Sequence, residues 1–257
     1  MSLIETEALV LKQFDLGEAD KIITFYTLDE GKIRAVVKKA RNSKNNKISA
    51  VVLPYCYNYI KVYKNNSLDR INNVDSIHRF EELRNNLDKM AYASYFSEMV
   101  EKAGMEYHPN QPLFKLLLTT FYKMARASKE ELNKINIIFK LLFLKYIGVQ
   151  PRIYFCYECG VKHKTLKKQH FNVQEGGLIC SSCVREKYSD FDTLNQLQVD
   201  LIKRVYRAGI DSLDGLNVED SLLNSIDKLI DKFILYHLDF KLKSEDFLQI
   251  IKGFDKN

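Results

Sequence analysis

Two hydrophobic rhythms run along this chain. From Leu3 to about Ile77 the pattern is that of strands: Ile4, Thr6, Ala8 and Val10 alternate with Glu5, Glu7, Leu9 and Leu11, and Ile22 to Thr27 is β-branched and aromatic. Asp29-Glu30-Gly31 supplies a turn and Ile33 to Val37 returns, which predicts a hairpin. A polar segment, Arg41 to Lys47, leads to an apolar and aromatic stretch from Ala50 to Lys64, a turn at Lys64-Asn65-Asn66-Ser67, and a last strand from Leu68 to Ile77. Five strands this short cannot easily bury both faces of an open sheet, so closure into a small OB-type barrel is the economical arrangement.

From Arg79 onward the apolar residues recur at helical spacing. Leu83, Leu87, Met90 and Ala91 lead toward Gly104, which suits a helix end. Asn110 and Pro112 open a second helix with Leu113, Leu116, Leu117, Phe121 and Met124 inward. Ser128 to Glu131 has capping-box spacing for a third, carrying Ile135, Ile138, Phe139, Leu142, Phe143 and Tyr146 before Gly148 and Pro151 stop it. The rhythm resumes at Leu194, Leu197, Leu201, Ile202 and Val205, ending near Gly209, and again from Leu222 through Phe233 to His237, which reads as a satisfied, partly buried histidine. Ser244-Glu245-Asp246-Phe247 opens a last short helix. The expected class is α+β, with a barrel over 1–78, a helical domain over 79–257, and an insertion in the latter at about 152–188.

That insertion carries the strongest chemical signal. Cys156-Tyr157-Glu158-Cys159 is followed, 20 residues on, by Cys180-Ser181-Ser182-Cys183. Each pair sets two thiolates on a tight turn, and a linker of that length can loop back so that four sulfurs reach the corners of a Zn²⁺ tetrahedron. Disulfides are the alternative, but nothing indicates an oxidising compartment. Four thiolates fill the coordination sphere, so the expected zinc is a structural staple for a segment too small to hold itself. His163 and His170 could replace a cysteine but read as ordinary loop histidines, and Cys56 as a small core residue.

Composition alters little: of 257 residues, 46% are apolar and 28% charged, as in ordinary globular chains. The start lacks a basic segment followed by an apolar run, and no stretch approaches 18 apolar residues, so a cytoplasmic protein is expected. No internal repeat, Gly-rich phosphate loop, His-Glu-x-x-His, Gly-x-Ser-x-Gly or deaminase-type His-x-Glu is present, which favours a binding protein over an enzyme.

Charge placement says more than the net value of +6, because Gly31 to Leu68 holds nine Lys or Arg and no Asp or Glu. Lys38, Lys39, Arg41, Lys44 and Lys47 lie at a strand end and loop, where their heads can reach phosphate. Such a density of like charge destabilises a barrel unless it is solvated or meets an anion. Tyr55, Tyr57, Tyr59 and Tyr63 would share one strand face and either line the barrel, the favoured role, or stand outside it where bases could stack.

Together these pieces resemble RecO, the bacterial recombination mediator family. Gly17-Glu18-Ala19-Asp20, Ile23 to Thr27, Gly31-Lys32, Val37 to Arg41 and Ser43-Lys44 are similar to its barrel signature. Leu141 to Pro151, the cysteine pairs around Gly176 to Ile179, and Leu242 to Leu248 are similar to its helix, zinc module and C-terminal segment. The resemblance implies a nucleoid-associated, non-catalytic protein that binds single- and double-stranded DNA and anneals complementary strands. With RecR it would help RecA replace single-strand-binding protein. It places DNA on Arg34, Lys38, Lys39, Arg41 and Lys44, RecR on the N-terminal domain, and the tail of single-strand-binding protein in a helical groove near Lys134 and Lys140. The family usually has a glycine at the position of Lys39, so a local change of backbone is expected there. The competing class is a zinc-ribbon adaptor whose basic barrel serves RNA or an acidic protein surface.

Overall fold

A computed structural model describes residues 2–40, 46–65, 67–162, 169–184, 191–213, 215, 217–239 and 241–254, with the side chains of Asn46, Lys47, Leu213 and Phe254 outside that set. By contacts the chain divides into two compact units, Met1–Leu132 with Leu242–Asn257, and Asn133–Lys241.

In the first unit, β1 (Leu3–Leu16), β2 (Asp20–Thr27), β3 (Gly31–Val37), β4 (Tyr57–Tyr63) and β5 (Asp69–His78) close into a barrel in the order β1-β2-β3-β5-β4. All pairings are antiparallel except β3 with β5, which meet in parallel at Ala35 with Asp69 and Val36 with Arg70. The period-two pattern does what it promised: Ala8, Val10, Ile23, Phe25, Ile33, Ala35, Ile60 and Val62 fill the interior.

The stretch after Ala50 departs from the expected strand. Residues Asn46–Val51 form α1, and β4 begins only at Tyr57. Pro54 has no N–H to give a ladder and Tyr55 takes φ +73°, so the chain turns there while Val51, Val52 and Cys56 join the barrel core. Gly31 is required by geometry: its φ is +70°, and a Cβ there would lie 2.2 Å from the His108 carbonyl oxygen. That close approach lets residues 105–107 bond along β3, with Lys32 N donating to Met105 O and Tyr107 N to Lys32 O.

Four helices complete this unit among the described residues: α2 (Glu81–Asn85), α3 (Leu87–Ala103), α4 (Gln111–Arg126) and α8 (Lys243–Phe254). The single helix expected up to Gly104 breaks at Asn86, which is extended and caps α3 by accepting from Lys89 N. Asn110 caps α4 in the same way, accepting from Leu113 N, and the five residues expected inward on that helix are buried. α5 (Lys129–Tyr146) starts before the division and runs mostly in the second unit; Ser128 N donates to Glu131, as the capping spacing anticipated.

Among its described residues the second unit also includes a small sheet ordered β7-β6-β8 (Gly177–Ile179, Gln169–Asn172, Asp192–Leu194), α6 (Gln196–Ala208) and α7 (Asp220–Leu238). Leu194, expected to start a helix, pairs with Gln169 in β8 instead. The helix starts later because Asn195 and Gln198 form a reciprocal capping box. Leu197 is 69% exposed, contrary to expectation, since the buried stripe of α6 runs through Gln198, Val199, Ile202, Val205 and Tyr206. Among the described residues no helix is long and apolar enough to cross a membrane.

Candidate functional site

The four paired cysteines come together. Cys156 opens a turn in which Gly160 N donates to the Cys156 carbonyl, and Tyr157 N donates to Leu178 O on β7. Cys180 follows β7 directly and opens the second turn, with Cys183 N and Val184 N donating to its carbonyl. The strand pairing therefore sets one cysteine turn against the other, and all four sulfurs lie within 4.8 Å of one another. Cys159 Sγ and Cys180 Sγ are 3.8 Å apart, and the edge of a ZnS₄ tetrahedron with bonds near 2.3 Å is also about 3.8 Å.

The electrostatics fit a bound cation. Burial pushes the Cys156 thiol up, but N–H groups of Cys159, Cys180 and Glu158 and a hydrogen bond with Cys159 outweigh it and bring it down to about 7. Hydrogen bonds with Cys180 and Cys159, aided by burial, push Cys183 up to about 12. Four thiolates this close repel one another unless a divalent cation lies among them. Cys156 and Cys180 are buried, Cys183 is half-buried and Cys159 exposed. His163 lies outside the described residues. His170, on β6, rests edge-on against Phe191 and is not in the cluster. His237 also has a packing role, with Nε2 2.7 Å from Val173 O and its ring against Phe233.

The second candidate surface is on the barrel. Along β3, Ile33, Ala35 and Val37 point inward, which leaves Arg34 exposed, and Lys38 and Lys39 are exposed beyond the strand end. Among the described residues none of these three head groups meets a carboxylate. Asp20 Oδ1 accepts from Lys39 N at 2.8 Å, and the Ala40 carbonyl accepts from Ser49 Oγ, so the basic turn is tethered at two points. Lys39 takes φ +56°, so the lysine occupies the backbone conformation that a glycine there would favour. Arg41 and Lys44 lie outside the described residues, as does the Lys47 side chain.

The tyrosines do not line the barrel. Asn58, Ile60 and Val62 are the inward residues of β4, so Tyr57, Tyr59 and Tyr63 stand on its outer face, and Tyr55 precedes the strand. Tyr57 is covered by Phe114 of α4 and donates to Glu7, while Tyr59 donates to Glu5. A strand starting at Ala50 would have put all four on one face; the turn at Tyr55 removes one of them from it.

Lys134 is half-buried on α5. Lys140 is only 2% exposed, and its ammonium pairs with Asp227 at 2.7 Å and with Asp231, both on α7. Asn136 Nδ2 donates to the same Asp227, and Asn133 to Asn224, giving a polar ladder between the two helices. A partner carboxylate would have to compete with two aspartates for Lys140. Sequence reasoning missed this ladder because the acidic positions 227 and 231 fall on the apolar stripe of α7, and only the pairing of α5 with α7 joins them to residues 91 positions away. The role of Asp20 was equally hidden, although pairing Lys21 with Val37 would have placed it beside the basic turn.

Comparison with known proteins agrees from end to end. Residues 1–80 match the model "Recombination protein O N terminal" and residues 84–246 match "Recombination protein O C terminal". The chain is 30% identical over 248 residues to the DNA repair protein RecO of Desulforamulus reducens, covering 96% of this chain and 94% of that one. It is 32% identical over 238 residues to the RecO of Alkaliphilus metalliredigens, covering 92% and 94%. With the RecO of a Thermoanaerobacter species the identity is 30% over 257 residues, covering 98% and 100%.

Proposed function

The chain belongs to the RecO family of DNA repair and recombination proteins, and from that premise we propose that it is a non-catalytic mediator which binds single- and double-stranded DNA and anneals complementary strands. With RecR it would help load RecA onto DNA coated with single-strand-binding protein. The observation that carries the reading is the trio Arg34, Lys38 and Lys39, exposed and unanswered by carboxylates among the described residues, on a barrel whose core is mainly apolar. Cations that stabilise nothing in the fold are free to neutralise phosphates, and a strand that loses its charge repulsion can meet its complement. Arg41, Lys44 and Lys47 extend the same surface in sequence.

Cys156, Cys159, Cys180 and Cys183 would hold one Zn²⁺, whose chemistry is to fix the two turns as a closed four-thiolate staple. In the same proposal residues 1–78 are the DNA-binding domain, RecR engages that domain, and the tail of single-strand-binding protein engages the helical domain near Lys134. The test is annealing of two complementary labelled strands by the wild type and by a variant with Arg34, Lys38 and Lys39 changed to Glu. Acceleration by the wild type that the folded variant loses supports the assignment; equal acceleration by the two proteins refutes it.

A further inference from the structure

A cleft of about 600 Å³ in the first unit takes no part in the basic surface. Its walls come from β1 between Leu11 and Phe14, the Pro54-Tyr55 turn, α3 and the first turn of α8. A bulge between Val10 and Lys12 shifts the register of β1, and beyond it Phe14 is 51% exposed, with Lys12 Nζ 5.1 Å from its ring centre. A large aromatic residue exposed at a cleft mouth on a nucleic-acid-binding barrel offers a stacking face.

The wall also holds a polar group without an answer. Ser97 is 3% exposed, and its Oγ has no hydrogen-bond partner among the described residues. Buried hydroxyls are normally paired, so this one is set to meet a ligand atom or an ordered water. The neighbouring acids are already satisfied. Glu98 accepts from Lys243 N, Ser244 N and Ser244 Oγ, and Glu101 pairs with Lys12 at 2.8 Å. Lys102 and Lys243 remain exposed among the lining residues.

A flat apolar face, one hydrogen-bonding hydroxyl and cations on the rim describe the needs of one nucleotide: a ring to stack, a polar edge to read and a phosphate to neutralise. We propose that this cleft receives a single unstacked base of single-stranded DNA, stacked by Phe14 and hydrogen-bonded by Ser97, with its phosphate near Lys102 and Lys243. The inference rests on the DNA-binding reading above and adds a site that grips the base, where the barrel surface grips the backbone.

The test compares binding of a 15-nucleotide oligothymidylate with binding of a strand of equal length that carries abasic sites, to the full-length protein at one salt concentration. The wild type should prefer the strand with bases by roughly tenfold or more. Phe14→Ala and Ser97→Ala should each reduce that preference while leaving abasic binding unchanged. Ser97→Ala should leave thermal stability unchanged, because the hydroxyl has no partner to lose. Equal binding of the two strands, or a preference unaltered in both variants, overturns the base site while the backbone reading stands. Failure of both strands to bind overturns the base site and the backbone reading together.

Discussion

Replacing Lys140 with alanine should destabilise the second unit by about 3 kcal/mol. The side chain is 2% exposed and its ammonium lies between two carboxylates, Asp227 at 11% side-chain exposure and Asp231 at 28%. Breaking a buried ion pair by removing one partner costs about 3–5 kcal/mol, because the remaining charge stays buried without compensation. Here the lower end applies. Asp231 can rehydrate, and Asp227 keeps the Asn136 amide as a donor at 2.9 Å. Urea unfolding followed by far-ultraviolet circular dichroism measures the change. The companion variant Lys140→Met with Asp227→Asn removes a charge from each side, keeps an acceptor for Asn136 and should recover part of the loss. A change below about 1 kcal/mol for Lys140→Ala would show that the ammonium is solvated and available to a partner, and the reasoning would fail.

Lys39→Gly should stabilise the first unit by about 1 kcal/mol, since φ +56° is strained for lysine, and should also weaken binding to single-stranded DNA; a lower midpoint in denaturant would contradict the first effect. Burial alone would raise the Glu98 carboxyl, but the hydrogen bonds from Ser244 and from Lys243 N outweigh it and hold the group below its ordinary 4.5. A depressed carboxylate contributes stability above its unfolded value that is lost as pH falls through the folded one. The Lys243 and Ser244 amides at the start of α8 should therefore lose hydrogen-exchange protection below about pH 4.5, and Glu98→Gln should abolish that dependence. Cys180→Ser should release zinc and lower the melting temperature of the helical part; full metal content with unchanged melting would rule out the staple.

The barrel was legible because alternation reports directly which residues face inward, and a run such as Ile33 to Val37 has one way to lie on a closed sheet. The cysteine spacing was legible for a related reason, since a chelate needs only two short turns and a return. Features set by one local irregularity were not. A single positive φ at Tyr55 moved the start of β4 and took Tyr55 off the face that Tyr57, Tyr59 and Tyr63 share, and Asn86 broke a helix whose apolar spacing gave no warning. Long-range polar pairs were the least visible: Lys140 read as a surface cation beside an apolar stripe until α7 supplied its two aspartates.

The central claim is that the exposed cations of β3 and its following turn neutralise DNA phosphates. Its most direct measure is the salt dependence of affinity for a single-stranded oligonucleotide, compared between the wild type and a variant with Arg34, Lys38 and Lys39 changed to Gln. Each lost phosphate contact removes about 0.7 from the log–log slope, so the variant's slope should be shallower by about 2 while its fold and melting are retained. An identical slope in the two proteins would place the phosphate contacts elsewhere and contradict the account.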